Sequence, residues 1–208
     1  MKKEPYVIIK QTLPKEISTL CYEYMLFKRD ITTYLTNDKY FPPLDQTFGL
    51  FSDNQIDNAF CTYGDILMDL LLQKVKPIVE QFTGLQLVET YSYARVYQTG
   101  NELKRHVDRE SCEVSATLNL GGDPWPIFID GSGKENQPGV SYTLNPGDML
   151  VYDGSKLEHW REPFKGKICG QVFFHYNDLN SKLFKPHKYD GRDMLGLPPY
   201  YRKDRPND

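Results

Sequence analysis

The sequence predicts a mainly β chain of the α+β class. Its core is a double-stranded β-helix, or jelly roll, buttressed by helices at the N-terminal side. Three observations support this. Apolar residues recur at helical spacing before Gly84, short Tyr-, Val- and Thr-rich segments follow it, and Gly-rich turns separate those segments closely. Short strands joined by tight turns form sandwiches or barrels, and helices that precede them cover one sheet.

In chain order, Tyr6 to Lys10 reads as a short strand, and Pro14 precedes a helix from about Lys15 to Lys28 with Leu20, Tyr24 and Phe27 on one face. Thr36 to Ser52 is loop-like, punctuated by Pro42-Pro43 and Gly49. Its Tyr40, Phe41, Phe48 and Phe51 are expected to pin it onto the core more often than to line a cleft. Ser52 or Asp53 is placed to cap one long helix through Phe82. Its stripe is Ile56, Phe60, Ile66, Leu67, Leu70, Leu71, Val75 and Ile78, with a kink at Pro77 and a stop at Thr83-Gly84. Strands follow over 85–98, 113–120, 126–130, 140–144, 149–152 and 168–176, and Tyr91, Tyr93, Arg95 and Tyr97 share one face of the first. The expected organisation is a single domain over 1–208: helical support in 1–84, the jelly-roll core in 85–180, and an irregular tail in 181–208 draped by Leu195, Leu197, Tyr200 and Tyr201.

Composition narrows the function classes. A net charge of -3 gives no general attraction to nucleic acid or to anionic membranes, so neither is an expected partner. The four cysteines, 21, 61, 112 and 169, form no C-x-x-C, which excludes a zinc ribbon and fits a reducing compartment. The apolar run Tyr6 to Ile9 is too short for a signal peptide, and no run has spanning length. A cytoplasmic protein is expected; nothing in the sequence bears on its oligomeric state.

The chemistry converges on Tyr97 to Asp108, which holds the only His-x-Asp of the chain, His106 and Asp108. Residues two apart on a strand point the same way, so this pair offers an imidazole and a carboxylate on one face. Two histidines and one carboxylate on one face of a metal, with the opposite positions open, are diagnostic of non-haem Fe(II) oxygenases. Of the remaining histidines, His187 lies in the tail among Lys and Pro, and His175 has no carboxylate two residues on. His159 follows a predicted strand and returns across the barrel, so His106, Asp108 and His159 are the candidate metal ligands and catalytic centre. A lone His-x-Asp is more often a surface ion pair; the order of strand, His-x-Asp, further strands and a second His is much rarer by accident.

Such a centre needs an electron source, usually 2-oxoglutarate, whose far carboxylate requires a buried cation. Lys167, on the parity of Cys169 and Gln171, is the first candidate. Arg161, two after His159, is the competing one and the better bidentate partner. Tyr97 is a candidate hydroxyl donor to the same carboxylate. Gln171 and Thr117 are candidate pocket-lining residues, with structural roles the commoner outcome for both.

These residues resemble the prolyl-4-hydroxylase-like branch of the Fe(II)/2-oxoglutarate dioxygenases. Tyr97-x-x-Gly100 leading to His106-x-Asp108 is similar to the approach to that family's first two iron ligands. Ser115-Ala-Thr117-Leu is similar to the strand that follows, and Gly147-Asp148-Met-Leu-Val-Tyr to the strand before the second histidine. The resemblance spans about Tyr91 to Tyr176. It implies Fe(II), 2-oxoglutarate as co-substrate and O2, with ascorbate as an accessory reductant. It also implies hydroxylation of an unactivated C–H, with a prolyl residue of a protein or peptide as first expectation and a small molecule or free amino acid as the alternative. Two departures stand out. The family's basic residue usually follows the second histidine by nine or ten positions, whereas Lys167 follows by eight, and Leu103 stands where prolyl hydroxylases often carry an aromatic residue. The rival classes are a zinc hydrolase on the same ligands, which lacks an H-E-x-x-H signature here, a non-catalytic jelly-roll binding module, and a nucleic-acid demethylase, which would show a basic face.

Overall fold

The computed structural model describes residues 5–40, 46–134, 137–182, 185 and 187–203. Phe41, Pro42 and Pro43 lie outside the described residues.

Two periodicities build the molecule. The 3.6-residue period forms α1 (Lys15–Asn37) and α2 (Ile66–Thr83), and the two-residue period forms ten strands. These are β1 (Tyr6–Ile9), β2 (Phe60–Tyr63), β3 (Leu87–Gln98), β4 (Leu103–His106), β5 (Val114–Gly122), β6 (Ile127–Ile129), β7 (Val140–Tyr142), β8 (Met149–Asp153), β9 (His159–Arg161) and β10 (Ile168–Asp178). They pair as a six-stranded sheet, β1-β8-β5-β10-β3-β2, and a four-stranded sheet, β4-β9-β6-β7, with antiparallel pairing throughout. The chain thus has the two-sheet jelly-roll architecture backed by helices that its patterning predicts. Among the described residues no helix is long and apolar enough to cross a membrane.

Alternation along the strands separates an apolar layer from a functional one. Ala94 and Val96 of β3, Ala116, Leu118 and Leu120 of β5, Val151 of β8, and Val172, Phe174 and Tyr176 of β10 pack with Met25, Met68, Leu72 and Val75 of the helices. The opposite parity of the same strands turns to the space between the sheets. There, Tyr97, Leu103, Trp125, Phe164, Cys169 and Phe173 form one cluster, and Ile127, Ile129, Leu144, Leu150, Tyr152 and Leu157 another. Buried polar residues share that second parity: Ser115, Thr117, Asn119, Gln171 and His175. Polar side chains between two sheets cost free energy unless they are satisfied or used, so this layer is where a site is to be sought.

Two elements depart from expectation. α1 runs on to Asn37 instead of ending near Lys28. The expected long helix from Asp53 does not form, and α2 begins only at Ile66, capped by Asp65. The cause is local. Asp53 does receive the N–H groups of Gln55 and Ile56, both at 2.8 Å, as a helix cap would. Its other oxygen, however, is held by Tyr93 and Arg95, Asn58 adopts a positive φ of 58°, and Phe60–Tyr63 pair with β3 instead of coiling. Gly64, at φ 61°, then turns the chain into α2, and Gly84, left-handed at φ 70°, ends that helix where expected. Phe51 tilts against Phe60 at 5.4 Å, the core-pinning role expected for loop aromatics, and Tyr40 is exposed against Tyr34.

The segment after β10 is held to the body by buried polar contacts. Arg192, whose side chain is fully enclosed, donates to Asp69, to the carbonyl of Thr90 and to that of Leu197. Asp69 in turn accepts from the N–H groups of Ser92 and Gly196. Leu195 packs against the main core as expected, whereas Tyr200 and Tyr201 stay half-exposed.

Candidate active site

Strand pairing assembles the candidate centre. β4 and β9 run antiparallel with His106 directly opposite His159, and the two rings lie 4.3 Å apart. Asp108 leaves the end of β4 with its N–H bonded to the carbonyl of Gly154 at 2.8 Å. Asp108 Oδ1 then stands 3.6 Å from His106 Nε2 and 3.5 Å from His159 Nε2. One ligand atom from each of the three residues lies within 4.8 Å of the others, a spacing open to one metal ion.

The imidazoles are oriented from behind. Nδ1 of His106 lies 2.7 Å from the carbonyl of Lys104, and Nδ1 of His159 lies 3.0 Å from that of Leu157. A carbonyl accepts only, so each Nδ1 carries a hydrogen, which leaves each Nε2 as the nitrogen available to a metal ion. This is the arrangement that outer contacts impose on metal-binding histidines. The imidazoles and the carboxylate also attract one another. Burial alone would raise the Asp108 carboxyl, but His159 and His106 hold it well below the usual carboxylate range. Burial would likewise lower the His106 imidazole, and Asp108 reverses that and raises it.

Behind His159 on the same face of β9 lies Arg161, 1% exposed. Its guanidinium donates to the carbonyl of Trp125 and, at 3.3 Å, to Gln171 Oε1, and it sits over the Trp125 ring at 5.1 Å. Its Nε has no partner, and among the described residues no carboxylate pairs with it. Thr117 Oγ1, on the facing parity of β5, is also buried without a partner. Tyr97 is fully buried in this interior, edge-on to Trp125 at 4.7 Å, and its hydroxyl receives Arg95 Nη1 at 3.2 Å.

Lys167 does not face this interior. β10 begins at Ile168, so Lys167 precedes the pleat. It lies in a bend where its N–H is tied to Asp123 Oδ2 at 2.6 Å, and its side chain is exposed. The parity that relates Lys167 to Cys169 in the sequence therefore never reaches it, whereas Arg161 lies inside the barrel.

A cavity of about 660 Å³ opens on the His106, Asp108 and His159 side. Its walls are aromatic (Tyr63, Tyr91, Tyr93, Phe173) and polar (Asp53, Gln55, Arg95, Arg109, His175), and Pro199 and Arg202 of the C-terminal segment close one flank. Asp53 fixes the opposite wall, accepting from Tyr93 at 2.6 Å and from Arg95. Asp190 ties the flank down, accepting from Arg109 at 2.7 Å and from Tyr63. Inspection of ligand spacing passes over Arg95, Ser115 and His175. Strand parity places them: Arg95 shares a face with Tyr93 and Tyr97, Ser115 with Thr117, and His175 with Phe173. Burial pushes His175 down to about 4, so its ring is neutral near pH 7.

No protein-family model and no curated protein matches the chain. Solved structures do. The non-heme alpha ketoglutarate dependent epimerase SnoN from nogalamycin biosynthesis superposes with a TM-score of 0.61 at 13% identity, over 95% of this chain and 91% of its own. HygX from Streptomyces hygroscopicus, with nickel, 2-oxoglutarate and hygromycin B bound, gives 0.60 at 13%, over 88% and 86%. A Pseudomonas putida prolyl-4-hydroxylase gives 0.56 at 14%, over 85% and 94%. The chain has the fold of the 2-oxoglutarate oxygenases. At this identity the likeness establishes the jelly-roll architecture that the sequence predicts, and the chemistry rests on this chain's own residues.

Proposed function

We propose that the chain is an Fe(II)- and 2-oxoglutarate-dependent oxygenase that hydroxylates an unactivated C–H group. The observation that carries this reading is Arg161, a guanidinium enclosed without a carboxylate, two residues along the same strand face from His159. Burying an unpaired charge is costly, so the position calls for an anionic ligand whose other end reaches the His106, Asp108 and His159 cluster. A compact dicarboxylate that chelates metal through a 2-oxo acid has that chemistry. Two imidazoles and one carboxylate suit Fe(II) with positions left for co-substrate and O2.

Bound iron with 2-oxoglutarate supplies the oxidation, in which O2 is consumed, the co-substrate leaves as succinate and CO2, and one oxygen enters the substrate. The protein's part is positional. His106 Nε2, Asp108 Oδ1 and His159 Nε2 would hold the metal, Arg161 would hold the far carboxylate, and Tyr97 would support it. Tyr91, Tyr93 and Phe173 exclude water beside the reacting C–H.

The resemblance implies a prolyl residue of a protein or peptide as substrate. The cavity favours the second reading, a small molecule. Its volume of about 660 Å³ lies within the range of small-molecule pockets, and it is walled on two flanks. The relative crystallised with hygromycin B is in keeping with that use. Mass spectrometry for the gain of one oxygen atom, on proline-containing peptides and on a small-molecule panel in parallel, separates the two.

The reaction class is tested by anaerobic titration of metal-free protein with Fe(II) and then 2-oxoglutarate. A visible charge-transfer band needing both components, and lost in His159→Ala, is expected. Arg161→Met should weaken 2-oxoglutarate at least 10-fold while iron still binds, and Lys167→Ala should change neither. Zinc binding with no such band would favour the hydrolase, and no metal binding at all would leave the binding module.

A further inference from the structure

Asp108 has a second oxygen, and its surroundings are built. Oδ2 receives the Ser115 hydroxyl at 2.6 Å, and Ser115 Oγ lies 3.0 Å from His175 Nδ1. Ser115 is fully buried, and His175 is 6% exposed with its ring 4.6 Å from that of Tyr91. A serine hydroxyl has one hydrogen. Three acceptors are in reach: the carboxylate at 2.6 Å, the carbonyl of Cys112 at 3.2 Å and, in the tautomer that leaves its lone pair bare, His175 Nδ1 at 3.0 Å. The shortest contact, to a charged oxygen, takes the hydrogen. The Ser115 oxygen then accepts from His175, which fixes that ring as the Nδ1–H tautomer.

Gly154 provides an independent sign that this arrangement is specified. Its φ is not in the left-handed region, so alanine is compatible with the backbone there. A Cβ would nevertheless stand 2.4 Å from the Cys112 carbonyl oxygen, 2.4 Å from Ser115 Oγ and 2.7 Å from Asp108 Oδ2. The space against the Asp108–Ser115 pair is kept bare, while the carbonyl of the same Gly154 holds the Asp108 N–H at 2.8 Å.

We infer that Ser115 and His175 are positioning residues for the metal centre, acting in series: His175 Nδ1–H orients the Ser115 hydroxyl, which locks Asp108 so that Oδ1 alone faces His106 and His159. The inference rests on the proposed metal site. It assigns a role to His175, which reaches Asp108 through the Ser115 hydroxyl.

The test measures metal uptake and needs no substrate. Mn(II) is titrated into the metal-free full chain, and the free ion is read from its electron paramagnetic resonance signal. Outer contacts of this kind are worth about 10- to 100-fold in metal affinity. Ser115→Ala should raise the Mn(II) Kd by about that factor. His175→Phe keeps the ring against Tyr91 and should raise Kd less. The Ser115→Ala/His175→Phe double variant should match Ser115→Ala alone, because links in series are not additive. Thermal midpoints and circular dichroism establish that each variant is folded. Wild-type Kd in Ser115→Ala overturns the inference while leaving the metal site standing. Wild-type Kd in His175→Phe, or a multiplicative loss in the double variant, overturns the series. A wild-type protein that takes up no Mn(II) or Fe(II) overturns the underlying reading itself.

Discussion

At the scale of single residues, His175 ties the site to the stability of the fold. Burial takes its imidazole down to about 4 from the ordinary 6.5. Between those values the unfolded chain binds a proton that the folded chain refuses, so the unfolding free energy falls as pH drops from about 6.5 toward 4. The full difference corresponds to roughly 3 kcal/mol. His106, which Asp108 raises, acts in the opposite sense, so the His175 contribution is read as a difference: in urea unfolding of the metal-free protein, the wild type should lose more stability between pH 7 and pH 5 than His175→Phe does. Equal pH slopes in the two proteins would count against it. His106, Asp108 and His159 were open to reading because few histidines exist and His-x-Asp is a local pattern. Which of Lys167 and Arg161 lies inside was not, since that turns on whether a strand begins one residue earlier, and β10 starts with the pairing of Ile168 and Gln98.

At the scale of elements, the start of α2 shows how a local signal is overridden. Asp53 makes a helix-cap contact yet heads a cavity wall, whereas Asp65, which nothing in the apolar stripe singles out, is the true cap. Asp65 accepts from the N–H groups of Leu67 and Met68, from the Tyr24 hydroxyl at 2.7 Å and from Lys28, joining α2 to α1. A lost cap costs about 1 kcal/mol, and a broken, largely buried ion pair adds to it. Asp65→Ala should therefore lower the unfolding free energy by about 2 kcal/mol or more in urea, and Asp65→Asn, which can still cap, by less. The long strands over 87–98, 114–122 and 168–178 were legible from their β-branched and aromatic content. β2 and β9 were not; β2 falls within the apolar stripe read as helical, and partners distant in sequence define both.

At the scale of the whole molecule, the C-terminal segment is part of the site's wall. Its anchor is the enclosed Arg192–Asp69 pair, 0% and 2% exposed. Removing one partner of a buried pair costs roughly 3–5 kcal/mol. Arg192→Met should lower the thermal midpoint and open residues 187–203 to limited proteolysis. Unchanged cleavage would show that Leu195 and the Asp190 contacts suffice. Leu195, Leu197, Tyr200 and Tyr201 suggested an apolar drape, but the hold is mainly through Arg192, Asp69 and Asp190. Composition gives no sign of such pairings, because Arg and Asp in a polar tail are usually solvated.

The order of strands in the large sheet also bears on how the chain is made. β3 lies between β2, which precedes it, and β10, which begins only at Ile168, while β1 waits for β8. An unfinished chain therefore carries a twelve-residue strand with one bare edge. Pairings so distant in sequence form slowly, and bare edges recruit other chains. The topology that brings His106 opposite His159 thus leaves the nascent chain exposed to aggregation, and slower synthesis at lower temperature is the condition that favours its soluble form.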